Sequence, residues 1–261
     1  MTVYFIGAGP GDPELLTKKA ERIIGECPLC LYAGSLVPAE IVARAPLGAK
    51  ILDTATMTLD ETHAEILAAS ELGLDVARVH SGDPSLYGAI AEQIRLLQRD
   101  HIDYRIVPGV PAYAAAAAAL GQELTVPEIG QSVVLTRVSM KSTAMPKNEK
   151  LETFAKSGAT LVIHLGIRNL RSIQRILIPH YGAECPVAVA YRVGWPDQLL
   201  VRGTLEDIHG RVRTEKITRT ALILVGPVLG KIRDFTESAL YDPAIPHVLR
   251  PKVKLPAETA E

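Results

Sequence analysis

The 261-residue sequence has few of the features that mark the common binding classes. It holds three cysteines, an odd number and a poor basis for a disulfide framework. Cys27-Pro28-Leu29-Cys30 has redox or metal spacing, but it falls between the end of a helix and a strand. A thioredoxin-like pair opens a helix after a strand, and no second pair completes a zinc site, so the thiols read as small buried groups. His63, His80 and His164 match no ligand spacing either and read as capping or packing residues, so no metal is expected. Charge of one sign is also lacking: 28 Lys and Arg against 29 Asp and Glu leave a formal net charge of -1, with no basic footprint for nucleic acid. No apolar run reaches membrane-spanning length, and the start lacks the basic and apolar regions of a signal peptide. A location in the cytoplasm, away from membranes, is expected. There is no Gly-Lys-Ser/Thr element, so the lysine and hydroxyl that hold a nucleotide phosphate and its magnesium are missing.

Three glycine- and proline-bearing loops are present, each at the carboxyl end of a predicted strand, and two of them carry an aspartate. They are Gly7-Ala8-Gly9-Pro10-Gly11-Asp12-Pro13, Ser81-Gly82-Asp83-Pro84 and Pro108-Gly109-Val110-Pro111. In an open α/β sheet, ligands bind beyond the carboxyl ends of the strands, so three such loops in one half suggest a shared crevice and a small-molecule enzyme. The first loop departs from a dinucleotide fingerprint. Asp12 stands where a third glycine belongs, Pro10 sits among the glycines, and the second strand runs into Ala33-Gly34-Ser35 rather than ending on an acid. Taken alone, that loop reads as a strand-to-helix turn with Asp12 as N-cap and Pro13 at the first helical position.

The first half alternates strand and helix. Strands are expected at 3–6, 29–32, 50–53, 75–80 and 104–107, and helices at 14–25, from the Thr58-Leu59-Asp60-Glu61 capping box to residue 72, and at 86–99. This implies an α/β fold with a mainly parallel sheet and helices on both faces. Residues 113–120 contain six consecutive alanines, a helix suited to close packing and read as scaffold. Thr125-Val126-Pro127-Glu128-Ile129-Gly130 punctuates the chain, giving an N-terminal α/β domain over 1–125 and a C-terminal one over 130–232. Strands at 132–138, 160–165, 187–191, 199–203 and 221–225 follow one another closely, with helices at 149–156 and 170–178, so the second sheet is expected to be mixed. Residues 233–261, with Pro243, Pro246, Pro251 and Pro256, form a proline-rich tail that is either a clasp over a partner or disordered.

Taken in order, the loops resemble a known family. Tyr4-Phe5-Ile6-Gly7-Ala8-Gly9-Pro10-Gly11-Asp12-Pro13-Glu14-Leu15-Leu16-Thr17, with Lys19-Ala20 after it, resembles the amino-terminal signature of the tetrapyrrole (corrin and porphyrin) methylases. Val79-His80-Ser81-Gly82-Asp83-Pro84-Ser85-Leu86-Tyr87-Gly88 is similar to the family's second signature and Val107-Pro108-Gly109-Val110-Pro111-Ala112 to its third, with order and spacing that agree over residues 1–230. Leu31-Tyr32-Ala33-Gly34-Ser35-Leu36-Val37 and Asp53-Thr54-Ala55-Thr56-Met57-Thr58-Leu59-Asp60-Glu61 are similar to the branch that methylates precorrin-4 at C-11. The resemblance implies S-adenosyl-L-methionine as methyl donor, S-adenosyl-L-homocysteine as product, a small-molecule tetrapyrrole as acceptor and a homodimer. The resemblance leaves the cobalt-containing counterpart of precorrin-4 open as the acceptor, and methylases of RNA and diphthine share these loops, but the near-neutral charge speaks against RNA. A noncatalytic protein keeping the cofactor fold is the reading from another class.

The resemblance also implies a cofactor folded between two domains and held largely by backbone. Matched by position, its contacts are Pro10, Gly82, Asp83, Leu86, Pro111, Ala112, Leu165, Arg192, Ala221 and Leu222. Glycine permits close backbone approach, and Asp83 can bond either a ribose hydroxyl or its own turn. Uroporphyrinogen-III methylases carry an aspartate and a lysine with proton-transfer roles where this chain has Ala33 and Thr54, which argues against that acceptor. Ser35, Asp53, Thr54 and Glu128 are the catalytic candidates at the cleft mouth, each equally suited to capping or turn bonding. Arg137, Lys141, Arg168 and Arg192 sit at or just after strand ends, where cations can pair the carboxylates of a tetrapyrrole or simply face solvent.

Overall fold

A computed structural model describes residues 1–138, 144–231, 237–238, 240–242, 245–246 and 248–249. Lys141 and most of the proline-rich tail, including Pro243, Pro251 and Pro256, lie outside the described residues. The first half runs β1 (Thr2–Gly7), α1 (Lys18–Glu26), β2 (Leu29–Tyr32), α2 (Ala39–Val42), β3 (Lys50–Asp53), α3 (Leu59–Glu71), β4 (Val76–His80), α4 (Ala91–Arg99), β5 (Asp103–Val107) and α5 (Ala112–Leu120). Its five strands are all parallel in the order β3-β2-β4-β1-β5. Ile6, Cys30 and Val79 pack under α1 and α2, while Phe5, Leu31 and Val76 pack under α3 and α4. Burial on both faces is why β1 reads as a nearly continuous apolar run, and β4 is fully buried although it includes Arg78 and His80.

The second half runs β6 (Val133–Arg137), α6 (Leu151–Ala155), β7 (Thr160–His164), α7 (Leu170–Tyr181), β8 (Pro186–Tyr191), β9 (Leu199–Thr204), α8 (Ile208–Thr214) and β10 (Ala221–Val225). The strand order is β6-β7-β10-β8-β9; only β6 and β7 are parallel, so the sheet is mixed. Leu161, Ile163 and Ile223 face α7 and α8, and Val162, Ala188 and Leu224 face the other way. That second face is covered by α5, whose Ala115, Ala116 and Leu120 enter its core, although α5 precedes the junction expected near residue 125. Small side chains let the helix lie close to the sheet, and Gly121 ends it in the left-handed conformation (φ 62).

Local details differ from the sequence reading in places. The expected helix at 14–25 is split: Asp12 caps a short 3-10 turn by accepting from the Glu14 N–H at 2.9 Å, and Thr17 caps α1 by accepting from Ala20 at 3.1 Å. The capping box at Thr58 is formed, with Glu61 Oε2 accepting from the Thr58 N–H at 2.7 Å. Helix α4 begins at Ala91, not residue 86, because Tyr87 (φ 56) and Ala89 (φ 50) adopt left-handed backbone that a right-handed helix cannot contain.

Candidate functional site

Strands β4, β1 and β5 are neighbours, so the three glycine loops emerge side by side from one edge of the first sheet. Ala8 N–H donates to the His80 carbonyl at 2.7 Å, and Gly82 N–H donates to the Gly9 carbonyl at 2.7 Å. The Asp83 carboxylate crosses to the third loop: Oδ2 accepts from Gly109 N–H at 3.0 Å, while Oδ1 accepts from Ser85 N–H at 2.8 Å and from the Ser85 hydroxyl. Burial works against its charge, but the hydrogen bonds from Ser85 and Gly109 outweigh it and hold the carboxyl below its ordinary value. Gly7 and Gly109 make the approach possible. A Cβ on Gly109 would lie 2.2 Å from the Gly82 carbonyl oxygen, and one on Gly7 would lie 2.5 Å from Gly109 N.

The second sheet presents the carboxyl ends of β6, β7 and β8 and the amino end of β10 to these loops. Here Leu165 (φ 54), Arg192 (φ 44) and Thr220 (φ 51) adopt the left-handed conformation without being glycine. The two halves touch directly where Trp195 Nε1 donates to the Pro10 carbonyl at 3.2 Å. A Cβ on Gly11 would strike the Trp195 ring, so glycine is needed there for the two loops to meet. Arg192 lies with its guanidinium carbon 4.0 Å from the Trp195 ring centroid, and its Nε donates to Asp197 Oδ1 at 2.7 Å.

Between these edges is a cavity of about 730 Å³. Of the residues expected to hold a cofactor, Pro10, Ala112, Leu165, Arg192, Ala221 and Leu222 line it. Gly82 and Asp83 follow the lining residue Ser81, Pro111 precedes Ala112, and Leu86 is half-buried in the loop after Asp83. Arg168 lines the cavity and donates from Nε to the Thr218 carbonyl at 3.1 Å; Arg137 ends β6 beside His164 on β7. Trp195, His164, Arg219 and Leu36 also line it, and the sequence reading assigned none of them a role there. Trp195 carries a local signal in its neighbour Gly194, whose φ is 82 and whose Cβ would press on the Asp12 backbone.

The catalytic candidates are more scattered. Ser35 is exposed, next to Leu36 at the cavity rim. Asp53 Oδ1 accepts from the N–H groups of Gly34 at 2.8 Å and Ala55 at 2.9 Å, tying together the loops after β2 and β3. Thr54 is buried: its hydroxyl donates to the Tyr32 carbonyl and accepts from Arg78 Nη1, each at 3.0 Å. Arg78 in turn donates from Nε to Gln93 at 2.9 Å, and burial pulls its pKa down to about 10. Glu128 stands in left-handed backbone (φ 63) at a tight turn closed by Val126 and Gly130, just before the amino end of β6. The cavity opens at the carboxyl end of that strand, about five residues and some 17 Å away along the strand. Among the described residues no group of three or more His, Cys, Asp or Glu is placed to hold a metal ion, and no helix is long and apolar enough to cross a membrane.

Two histidines flank the loop after β4. His80 is pushed down to about 3 by burial and by the nearby Arg78 charge, and His164 to about 4 by burial. The model of the family described as Tetrapyrrole (Corrin/Porphyrin) Methylases matches residues 2–209.

The chain belongs to the tetrapyrrole methylase family.

Among members of this family, the chain is 55% identical to a precorrin-4 C(11)-methyltransferase of a Sinorhizobium species over 94% of its own length and 96% of the relative's. Among solved structures, it is similar to a cobalt precorrin-4 methyltransferase at 41% identity and a TM-score of 0.85, covering 88% of this chain and 96% of the other. It is also similar to the uroporphyrin-III C-methyl transferase of Thermus thermophilus complexed with S-adenyl homocysteine, at 27% identity and a TM-score of 0.74, with 88% of this chain and 99% of that one covered. In this tetrapyrrole methylase the three glycine loops supply Pro10, Ser81 and Ala112 to one side of the cavity, and the second sheet supplies the other.

Proposed function

We propose that this tetrapyrrole methylase transfers a methyl group from S-adenosyl-L-methionine to C-11 of precorrin-4 in corrin synthesis. The observation that carries the reading is the near-full-length match, at 55% identity, to a precorrin-4 C(11)-methyltransferase. The Thermus relative with S-adenyl homocysteine supports the choice of cofactor. The cavity suits it: about 730 Å³ lies in the range of ligand sites, with apolar walls from Leu36, Val193 and Leu222 beside glycine-loop backbone. When bound, this cofactor supplies an electrophilic methyl on sulfur, so the protein must chiefly hold two reactants in line and keep water out.

The residues divide that work. Pro10, Ser81, Gly82, Pro111 and Ala112 offer backbone from the first half, and Leu165, Ala221 and Leu222 close over the cofactor from the second. Asp83 acts by fixing the second and third loops to each other, since both its oxygens are already hydrogen-bonded there. Arg192, stacked on Trp195 and paired with Asp197, shapes the joint between the halves. Arg137 and Arg168 hold carboxylates of the acceptor, with Lys141 outside the described residues. Ser35, Asp53 and Thr54 shape the rim; Asp53 and Thr54 do so through backbone bonds and Arg78 rather than by proton transfer. A homodimer follows from the family resemblance, and light scattering at working concentration tests it.

The test of function is incubation with S-adenosylmethionine carrying a 13C methyl and with precorrin-4, then location of the label by mass and NMR. Label at C-11 is the expected result. Methylation of uroporphyrinogen III instead would overturn the acceptor. Cobalt-precorrin-4 run in parallel separates the two forms of the substrate, because the cobalt enzyme is also a structural relative.

A further inference from the structure

His164 is placed as no packing residue needs to be. It ends β7, and strand alternation puts it on the same face as Val162, the face that packs on α5. Leu222 and Ala190 share this face on β10 and β8, and all three residues line the cavity. The neighbours from the second sheet are therefore aliphatic, yet His164 brings an imidazole whose Nε2 is enclosed without a hydrogen-bond partner. Buried polar atoms are nearly always bonded, and a phenylalanine would fill the place without that penalty.

The surroundings indicate the chemistry of a partner. Tyr87, from the loop after β4, packs on the imidazole with ring centroids 4.9 Å apart and the rings tilted by 49°, and it is 44% exposed, so only this ring stands between that side of His164 and solvent. Arg137 is the register partner of His164 on the adjacent parallel strand; the pKa of the Tyr87 hydroxyl is raised by burial, with the Arg137 charge opposing that shift and the Glu149 charge adding to it. The other end of the cavity is closed by Trp195 on Pro10. Nε2 is enclosed beneath the half-exposed Tyr87 ring, so a shift of that ring would present the imidazole, beside Arg137, to the carboxylate of a ligand too large to be swallowed whole.

We propose that His164, together with Arg137, holds a peripheral carboxylate of the tetrapyrrole acceptor and so orients the macrocycle over the cavity. This rests on the tetrapyrrole methyltransferase reading above. Burial keeps the imidazole neutral at working pH, so it acts as a hydrogen-bond donor and not as a second cation.

The test is a titration of S-adenosylhomocysteine-loaded protein with precorrin-4, followed by absorbance, on wild type, His164→Phe and His164→Gln. The phenylalanine variant is expected to melt no lower than wild type, to bind S-adenosylhomocysteine within about twofold, and to bind precorrin-4 about tenfold more weakly. Glutamine, whose amide reaches the position of Nε2, should recover most of that loss. Equal precorrin-4 affinity in His164→Phe overturns the proposal, as does a parallel loss of S-adenosylhomocysteine affinity, which would assign the histidine to the cofactor. Wild type that binds precorrin-4 without methylating it would sink the proposed function and leave the comparison of variants valid.

Discussion

The two sheets build one cavity by opposite means. The first sheet uses glycine where its cavity-side turns go left-handed, at Gly9 (φ 75) and Gly82 (φ 65), with Tyr87 and Ala89 left-handed only further along the loop after β4, and it packs Gly7 and Gly109 so tightly against each other and the Gly82 carbonyl that neither has room for a Cβ. What it offers a ligand is backbone. The second sheet puts Leu165, Arg192 and Thr220 in the same conformation, at a cost of about 1–2 kcal/mol for each non-glycine residue. Those side chains are used: Leu165 is 69% exposed as a cavity wall, and Arg192 covers Trp195 at the joint. Strain kept at a binding edge, where glycine would relieve it, marks positions chosen for their side chains.

The contrast is open to direct tests. The largest effect belongs to the glycine contact: Gly109→Ala should cost about 3 kcal/mol or more in urea unfolding, because its Cβ meets only backbone, and backbone cannot step aside. Stability near wild type would show that the loops are looser than described. Next is acid. His80 in one half and His164 in the other have folded pKa values of about 3 and about 4, below the ordinary 6.5. The unfolded chain therefore binds more protons between those limits, so stability is complete above pH 6.5 and falls as the pH drops below it. The loss should be about 2 kcal/mol per histidine at pH 5, and His164→Phe should remove one share. Asp83, with its pKa lowered, adds a loss only further down, through the carboxylate range.

Smaller effects separate the two edges. Gly82→Ala has room for its Cβ, with nothing nearer than 3.7 Å, so it should lose only the left-handed preference, about 1–2 kcal/mol. Leu165→Gly should do the reverse, gaining up to about 1 kcal/mol of stability while weakening ligand binding measured by calorimetry. If Leu165→Gly binds S-adenosylhomocysteine as wild type does, the wall is not being used.

Legibility in the sequence follows the same division. The first half's strands and loops were readable because strands buried on both faces give short apolar runs and the turns between them demand glycine and proline. The second sheet's mixed character was readable from the close spacing of its strands. At its binding edge Leu165, Arg192, Ala221 and Leu222 were named only through the family resemblance, and the left-handed backbone of Leu165 and Thr220 went unread because neither residue type signals it. Trp195 meets Pro10 across 185 residues of sequence, a contact no local pattern encodes. Glu128, a candidate for the mouth equally suited to turn bonding, sits in the tight turn before the amino end of β6, because strand direction sets which end of a strand a flanking residue occupies. Helix α4 starts late for a related reason: Tyr87 and Ala89 have ordinary helical propensity, and the left-handed turn that places Tyr87 over His164 overrides it.

The claim that both edges serve one ligand is tested most directly by a crystal structure of the S-adenosylhomocysteine complex. It should place the ligand in the cavity against the backbone of Ser81 to Gly82 and Ala112 on one side and Leu165 and Ala221 to Leu222 on the other. A ligand bound outside that cavity, or held by one half alone, would contradict it.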